Sequence, residues 1–477
     1  MSRSLIFTFI LLVLFIGGVW KVVNVGQRLP IKPKVEKVQP VLVNHDESVP
    51  ITGLSQAIIQ FKENIKHPLS LLLLQILVII GASRVFSALL SMLGQQTVIG
   101  EIIAGIVLGP SVLKVFFPHF FLFLFPPDSL NTLLFLSQIG LAFFMFIIGM
   151  DLDIDVIVKK AGDAITVSIA SIVVPFFLGV ILAYYLYPLF GPVGVGFLPF
   201  SLFIGISVSI TAFPVLARIL QERGMTKTPI GSMAIMCAAS NDLMAWCMLA
   251  AVIAIAKAGD ITSALFTIVL AVLFVVGMLY IVRPLLQKIS ADQLKKHGQG
   301  KAAISIAFFI LLSSAYFTEL IGVHALFGAF LAGVVMPHDL NFRKNITGKI
   351  EDVSVLVLLP IFFAFTGLRT QMGLLNAPGV WVAFGYLMIV AVSGKFIGTA
   401  AAAKISGQNW GNSLTLGALM NTRGLMELIV LNIGYDLGIL SPEIFAMMVL
   451  MALATTFMTG PLLNLVDRIN HGKKKIA

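Results

Sequence analysis

The sequence predicts an all-α polytopic membrane protein. Its thirteen-helix body consists of two inverted six-helix repeats plus a linking helix, with two crossing discontinuous helices, and an N-terminal anchor or signal segment precedes it. Three observations predict this class: a 477-residue chain that is 58% hydrophobic and 11% charged, recurring apolar runs of membrane-spanning length, and similarities between the two halves. Soluble domains carry about 25% charged residues. The composition therefore excludes a soluble enzyme, a disordered chain and a nucleic-acid binder.

An N-terminal segment over residues 1–23 contains an apolar run, 5–20, behind Ser2 and Arg3. Such a run is typical of a signal peptide or an anchor helix. No small-x-small cleavage site follows it directly, which favours an anchor that is retained. We expect residues 24–66, with mixed charges and many Val and Pro residues, to form an extracytoplasmic segment.

Thirteen apolar segments follow residue 67. A bilayer core of about 30 Å requires roughly 20 apolar residues in a helix. The connectors are short, so no separate soluble domain is expected. The segments span 68–92, 97–117, 129–150, 164–189, 195–218, 229–256, 261–286, 301–318, 322–337, 352–369, 379–403, 412–434 and 442–466.

The Lys and Arg residues of the loops predict the orientation. If the body starts outside, the inner loops and tail hold eighteen of these residues and the outer loops hold three, Lys114, Lys257 and Arg369. This predicts a multi-pass protein of the plasma (inner) membrane with a cytoplasmic C-terminus and a basic tail over 468–477. It also explains most of the net charge of +10.

Short similarities recur in the same order in the two halves. The pairs are IAGIVLGP (103–110) with LAGVVMP (331–337), FFMFIIGMDLD (143–153) with FFAFTGLRTQ (362–371), and SVSITAFPVL (207–216) with GALMNTRGLM (417–426). Each pair is displaced by seven helices, an odd number, so the two copies are inverted. Inverted repeats are typical of secondary transporters, which bind substrate near the bilayer midplane.

The fifth and twelfth segments carry helix-breaking residues in mid-span. Pro214 follows Thr211 in the fifth segment, and Gly424 follows Arg423 in the twelfth. Proline removes a backbone donor and disturbs the preceding turn. Freed carbonyls in a membrane are tolerated only where they line a polar cavity, and interrupted helices at matching positions indicate a transporter's binding site.

Asp242 is the charge that most needs an explanation, because a charge at the bilayer centre costs at least about 2.5–3.5 kcal/mol. Small neighbours let another backbone approach it closely. The predicted cation- and proton-binding set is Asp242, Asn241, Thr211 and Ser240. In this set Asp242 is the ligand of a bare monovalent cation or takes a proton instead. The alternative is a structural carboxylate in a fixed ion pair.

Three further buried charges form the predicted supporting set. Lys395 lies deep in the eleventh segment, where it holds the empty site together, neutralises Asp242 or titrates; snorkelling to an interface is the alternative. Arg423 and Glu427 are spaced i, i+4 and can pair, which favours a brace for the broken helix over a direct role in transport.

No cofactor is expected besides the transported K⁺ or Na⁺ and H⁺. Cys237 and Cys247 lie about 15 Å apart on a helix, beyond disulfide reach, and the seven histidines show no ligand-like spacing. No nucleophile–base pair or ligand set for an intramembrane enzyme is evident. We expect His324 and Glu319, near an outer connector, to be packing or surface residues.

Four stretches, TAFPVLARIL, AASNDLMAW, HALFGAFLAGVVMP and NTRGLMELIVLNIG, resemble the monovalent cation:proton antiporter superfamily. The branch they resemble is cation:proton antiporter-2, with plant cation/H⁺ exchangers and bacterial Na⁺(K⁺)/H⁺ antiporters. The resemblance covers roughly 70–465 and implies a dimer panel, a moving core that carries the site, and alternating access. By this mapping an antiporter domain over 67–467 contains a panel at about 68–117 and 301–337, a linker helix at 261–286, and a core at about 129–256 and 352–466.

Carried over by motif, Asp242 resembles the essential cation- and proton-binding aspartate of that branch. Asn241 stands where electrogenic members have a second aspartate, and Lys395 matches the lysine that pairs with it. That partner is missing here, and one titrating carboxylate suggests electroneutral exchange. The resemblance further implies a homodimer among membrane lipids, no nucleic-acid partner, and K⁺ slightly ahead of Na⁺. A cation channel and a membrane sensor without transport remain the alternatives.

Overall fold

The structure, a computed structural model, describes residues 3–28, 60, 64, 67–92, 95, 97–151, 162–225, 228–258, 261–288, 301–337 and 340–474. Within these residues the chain is helical and contains no strand. Ten of the described helices are long and apolar enough to cross a membrane by length and composition, which confirms an all-α polytopic protein. Most of the predicted segment 24–66 and the end of the basic tail lie outside the described residues.

The N-terminal helix and the first half of the body contain ten helices in the described ranges. They are α1 (Arg3–Gly26), α2 (Pro68–Met92), α3 (Thr97–Leu108), α4 (Leu113–Phe116), α5 (Pro118–Leu124), α6 (Pro127–Asp151), α7 (Gly162–Phe190), α8 (Phe197–Ser209), α9 (Phe213–Glu222) and α10 (Pro229–Ala258). The predicted second segment has nearly the expected extent, Thr97–Phe116. Within it α3 ends at Leu108, because Gly109 and Pro110 follow and a proline cannot continue the helix.

The second half begins with the predicted linking helix. Its described helices are α11 (Ile261–Gly277), α12 (Lys301–Ile321), α13 (Ala325–Val334), α14 (Leu340–Val353), α15 (Leu359–Arg369), α16 (Val380–Ile405), α17 (Trp410–Met420), α18 (Leu425–Asp436) and α19 (Pro442–Lys474). A π-helical turn, Met278–Val282, extends α11, and another, Ser354–Leu358, joins α14 to α15. The apolar span that contains the predicted tenth segment, Thr347–Asn376, therefore begins earlier and ends later than expected.

Three predicted segments are not among the ten long helices: the fifth, the ninth and the twelfth. The ninth is the short helix α13. The fifth is interrupted between Ser209 and Phe213, and the twelfth between Met420 and Leu425. A proline occupies the first turn of α9, where its missing N–H costs nothing. Gly424 precedes α18 with φ 159°, a conformation that side chains disfavour.

Glycines allow the closest helix contacts. Gly105 of α3 lies against the backbone of Ala364 in α15, and Gly149 of α6 lies against Phe330 and Gly333 in α13. Each contact joins a helix of one half to a helix of the other, and the two pairs occupy reciprocal places in the chain. Two inverted repeats would pack in this way, but the repeat layout remains a prediction.

The helix α7 lies between α8 and α16 and so reaches both the first interruption and the eleventh segment. Gly394 and Gly398 of α16 lie against Pro175 and Val174 of α7 with no room for a side chain. Helix α1 packs on another part of α7, where the rings of Phe15 and Phe176 meet at 5.5 Å. The side chains that the next section describes converge around α7.

Candidate cation site

The two interruptions contact each other in the protein interior. The Thr211 hydroxyl donates a hydrogen bond to the carbonyl of Met420 at 3.0 Å. The backbone N–H of Ala212 donates to the carbonyl of Thr422 at 3.2 Å. Both threonines are fully buried. Backbone groups that leave their own helices are therefore paired across the two breaks, as burial demands.

Asp242 lies on α10 beside this junction and is fully buried. Neither of its carboxylate oxygens has a hydrogen-bond partner. The carboxylate lies near the backbone N–H of Phe213, at the start of α9, and the N-terminal end of a helix favours a negative charge. Among the described residues no cation forms an ion pair with Asp242, so the fixed pair considered above is not found.

An unpaired buried carboxylate is costly, and buried polar groups in proteins are normally satisfied. The two oxygens of Asp242 are therefore available to an occupant that the polypeptide does not supply. A proton or a monovalent cation would satisfy them. In the described part of the chain, no three His, Cys, Asp or Glu side chains come together as they do in a metal centre.

Asn241, the neighbour of Asp242, is held by three hydrogen bonds. Its amide donates to the hydroxyl of Ser171 at 2.8 Å and to that of Thr211 at 3.3 Å. Its carbonyl accepts from the hydroxyl of Ser168 at 2.7 Å. A carboxylate at this position could not donate to either hydroxyl. In this structure Asn241 thus ties α10 to α7 and to the first break.

Lys395 is fully buried on α16. Its ammonium donates to the carbonyl of Ser171 at 2.9 Å and to the carbonyl of Ser209, the last residue of α8. It does not form an ion pair with Asp242, although the two charges are close enough to interact. Direct neutralisation of Asp242 by Lys395, one of the predicted roles, is therefore not seen here.

Arg423 lies in the second break and reaches the end of α8. Its guanidinium donates to the carbonyls of Ser207 at 3.0 Å and Val208 at 2.6 Å, and it contacts Glu427 at 3.4 Å. The last carbonyls of a helix lack intrahelical partners and carry partial negative charge. Arg423 and Lys395 therefore cap the last three carbonyls of α8 between them. The predicted pair between Arg423 and Glu427 is present.

The structure thus brings together six of the seven residues predicted for the site and its support. Ser240 is half-buried and does not join the hydrogen-bond network of the described residues. The sequence prediction missed Ser168, Ser171 and the N–H of Phe213. Ser168 and Ser171 are polar residues three positions apart in an otherwise apolar helix, and this spacing could have indicated them. The position of a backbone N–H cannot be identified from the residue type.

Comparison with known proteins identifies the architecture around this site. The sequence profile described as "Sodium/hydrogen exchanger, transmembrane" matches residues 60–466. The chain belongs to the sodium/hydrogen exchanger family. The predicted resemblance to cation:proton antiporters is thereby confirmed, and this family consists of secondary transporters, not enzymes. Helix α1 lies before the matched region.

Relatives of the exchanger family extend the comparison. The chain is 41% identical to the Na⁺/H⁺ antiporter NhaS4 of Synechocystis, over 83% of this chain and 97% of that protein. It is 38% identical to cation/H⁺ antiporter 17 of Arabidopsis thaliana and 34% identical to K⁺/H⁺ antiporter 1 of Saccharomyces cerevisiae. These matches cover 87% and 89% of this chain, which spans about half the length of each of these two relatives.

A solved structure shares the fold of this exchanger. The sodium proton antiporter MjNhaP1 from Methanocaldococcus jannaschii matches with a TM-score of 0.60 over 83% of this chain and 95% of that one. The two sequences are 14% identical, so this likeness supports the fold alone.

Proposed function

We propose that the protein exchanges a monovalent cation, K⁺ or Na⁺, for protons by electroneutral alternating access. The observation that supports this most directly is the buried carboxylate of Asp242, whose two oxygens have no partner where the two interrupted helices meet. Interrupted helices near the repeat interface are where secondary transporters bind ions. The relatives named above are Na⁺/H⁺, K⁺/H⁺ and cation/H⁺ antiporters.

Competition for Asp242 is sufficient for obligatory exchange. The carboxylate binds either a proton or a cation, and the backbone near Thr211 and the side chain of Asn241 complete the oxygen shell. The neighbouring charges are Lys395, Arg423 and Glu427, all fully buried. When these three are ionised, the cluster has the same net charge with a proton on Asp242 as with a monovalent cation. Both loaded forms therefore cross equivalent electrostatic barriers, whereas the empty form differs by one charge.

The assembly belongs to the same proposal. Panel helices at about 68–117 and 301–337 form a homodimer interface, and the core at about 129–256 and 352–466 moves against them. The protein lies among the lipids of the plasma (inner) membrane with its C-terminus in the cytoplasm. It requires no cofactor. Protons that a respiring cell has pumped out flow back in through the protein, and this inward flow drives cation export.

Asp242→Asn tests the function directly. We expect this variant to lose pH-dependent cation exchange, since an amide neither releases a proton nor carries the charge that attracts a cation. Everted vesicles with a pH dye receive Na⁺, K⁺, Li⁺ or Rb⁺ in turn, which also gives the selectivity. Vesicles without the protein and Cys247→Ser, an exposed position on the same helix, serve as controls.

An imposed membrane voltage tests the stoichiometry in the same vesicles. Electroneutral exchange is independent of the voltage, whereas unequal exchange follows it. Retention of exchange in Asp242→Asn would refute the assignment of the site. Cation flux without counter-movement of protons would indicate a channel, and the absence of any flux would indicate the sensor.

A further inference from the structure

Pro175 lies inside α7, in the middle of an apolar helix of 29 residues. In a regular helix the N–H of residue 175 would donate to the carbonyl of residue 171. Proline has no N–H, so the carbonyl of Ser171 loses its helical partner. A buried carbonyl without a partner costs free energy and is normally satisfied by another group.

The group that satisfies the Ser171 carbonyl is the ammonium of Lys395, at 2.9 Å. The second acceptor of Lys395 is the carbonyl of Ser209, at the end of α8, which also lacks a helical partner. Both acceptors are therefore carbonyls without a helical partner, the first because of the proline in α7 and the second because α8 ends there. Neither is a carboxylate, and position 241, where the resemblance implies a partner for Lys395, holds an amide.

Ser171 serves Asn241 as well. Its hydroxyl accepts a hydrogen bond from the Asn241 amide at 2.8 Å and donates to the carbonyl of Ser168 at 2.8 Å. One residue of α7 thus holds Lys395 through its backbone and Asn241 through its side chain. The position of Asp242, the next residue on α10, is consequently linked to that of Lys395.

The close packing of α16 on α7 makes this contact possible. A Cβ added to Gly394 would lie 3.0 Å from the Cα of Pro175, and one added to Gly398 would lie 2.9 Å from the Cβ of Val174. Lys395 is flanked by these two glycines. Small residues at a helix contact let the backbones approach, and here they bring the lysine within reach of the freed carbonyl.

We propose that Pro175 is a positioning residue for cation–proton exchange. It frees the Ser171 carbonyl, and this carbonyl holds Lys395 in place of the carboxylate that position 241 lacks. The inference rests on the function proposed above. Lys395 is anchored by backbone dipoles and does not occupy the carboxylate of Asp242. That carboxylate stays available to the proton and the cation.

Pro175→Ala tests the inference, because the new N–H competes with Lys395 for the Ser171 carbonyl. We expect the maximal exchange rate to fall about tenfold, the effect of losing one hydrogen bond from a charged group. The pH profile of exchange changes shape, because the proton affinity of Asp242 depends on where the charge of Lys395 lies. Pro188→Ala is the matched control, since it makes the same substitution at an exposed position of the same helix. It retains the wild-type profile and a rate within about twofold, as surface substitutions do.

A double variant distinguishes positioning from a general effect on the helix. In the Lys395→Gln background, Pro175→Ala should lower neither exchange nor the cation-dependent rise in Tm of the purified protein any further. Residues that act through one another show this non-additivity. A wild-type rate and profile for Pro175→Ala, or additive losses in the double variant, would overturn the inference.

An ester at position 175 separates the missing N–H from the ring of proline. Lactic acid introduced there has no N–H, so exchange should match that of the wild type even if Pro175→Ala does not fold. An ester variant that behaves like Pro175→Ala would also refute the inference. Wild-type vesicles are measured first. If the wild type exchanges ions and Pro175→Ala has no effect, only this inference is refuted. If the wild type shows no exchange, the proposed function is refuted. In that case the cation-dependent rise in Tm of the single and double variants still measures the coupling between Pro175 and Lys395.

Discussion

At the scale of single residues, basic side chains of the site gather at the C-terminal end of α8. Arg423 and Lys395 donate to the last three carbonyls of α8, and Glu427 contacts Arg423 at 3.4 Å. Positive groups at the C-terminal end of a helix complement its dipole. The arrangement places two buried basic side chains on helix-end carbonyls, beside the carboxylate that we propose binds the transported cation or proton.

Removal of Arg423 should therefore affect stability as well as exchange. Arg423→Met leaves the carbonyls of Ser207 and Val208 without donors and Glu427 buried without a partner. Breaking a buried pair on one side costs about 3–5 kcal/mol, so we expect a large fall in Tm, measured in detergent by intrinsic fluorescence.

The double variant Arg423→Met/Glu427→Gln is the control for that prediction. It removes the uncompensated charge and should recover part of the lost stability. A double variant as unstable as the single one would show that the carbonyl contacts dominate, and an unchanged Tm in Arg423→Met would contradict the prediction.

The sequence contains enough information for some of these contacts and not for others. The pair between Arg423 and Glu427 follows from their spacing on a helix. The mid-span position of Asp242 follows from the apolar runs on either side. The acceptors of Lys395 could not be predicted, because they are backbone carbonyls released by Pro175 and by the end of α8. Every residue has a backbone carbonyl, so the residue type does not show which carbonyls lack a helical partner.

At the scale of the helix, two titratable side chains cap the start of α13. His324 has a φ of 149°, and its Nδ1 accepts a hydrogen bond from the N–H of Leu326 at 3.3 Å. Glu319 accepts from the N–H of Ala325 at 2.8 Å. Both side chains cap the helix, a role that the expectation of packing or surface residues did not include.

Burial lowers the pKa of His324 below its usual value; Glu319 and Asp436 oppose this shift, and Lys257 adds to it. Because the folded-state pKa is depressed, the cap contributes stability above the unfolded pKa of about 6.5, and this contribution is lost as the pH falls. We expect the amides at the start of α13 to exchange hydrogen faster below that pH, measured by mass spectrometry with correction for the intrinsic rate.

His324→Asn is the matched variant for this prediction. Asparagine is a strong N-cap, but it does not titrate. The acid-induced loosening should disappear, while protection at neutral pH is retained. Equal acid sensitivity in the variant and the wild type would assign the effect to another group.

At the scale of the whole molecule, helices of the two halves of the chain meet at glycines. Gly105 against α15 and Gly149 against α13 place two backbones in direct contact on each side. The pairs of similar motifs predicted that the two halves correspond, but not that the second segment would contact the tenth and the third segment the ninth. Contacts between distant segments depend on the shapes of both surfaces, which one segment's composition does not specify.

Gly149→Val tests whether this contact matters for movement. An added side chain overpacks the junction with Phe330 and should cost about 1–3 kcal/mol. If the proposed movement of α6 past α13 occurs along this contact, exchange is lost as well. The measurements are Tm and exchange in vesicles. Gly385→Val is the control, since a Cβ at Gly385 on α16 would meet no neighbouring atom. Full exchange in Gly149→Val would argue against movement along this contact.

The bonds from Thr211 to Met420 and from Ala212 to Thr422 have a mechanical consequence. They join the two halves of the chain at the points where each helix is weakest. Two hydrogen bonds link the four half-helices directly, so we expect them to move together during the proposed exchange. We therefore expect access to change by displacement of these four half-helices together, and not by a hinge that opens between them.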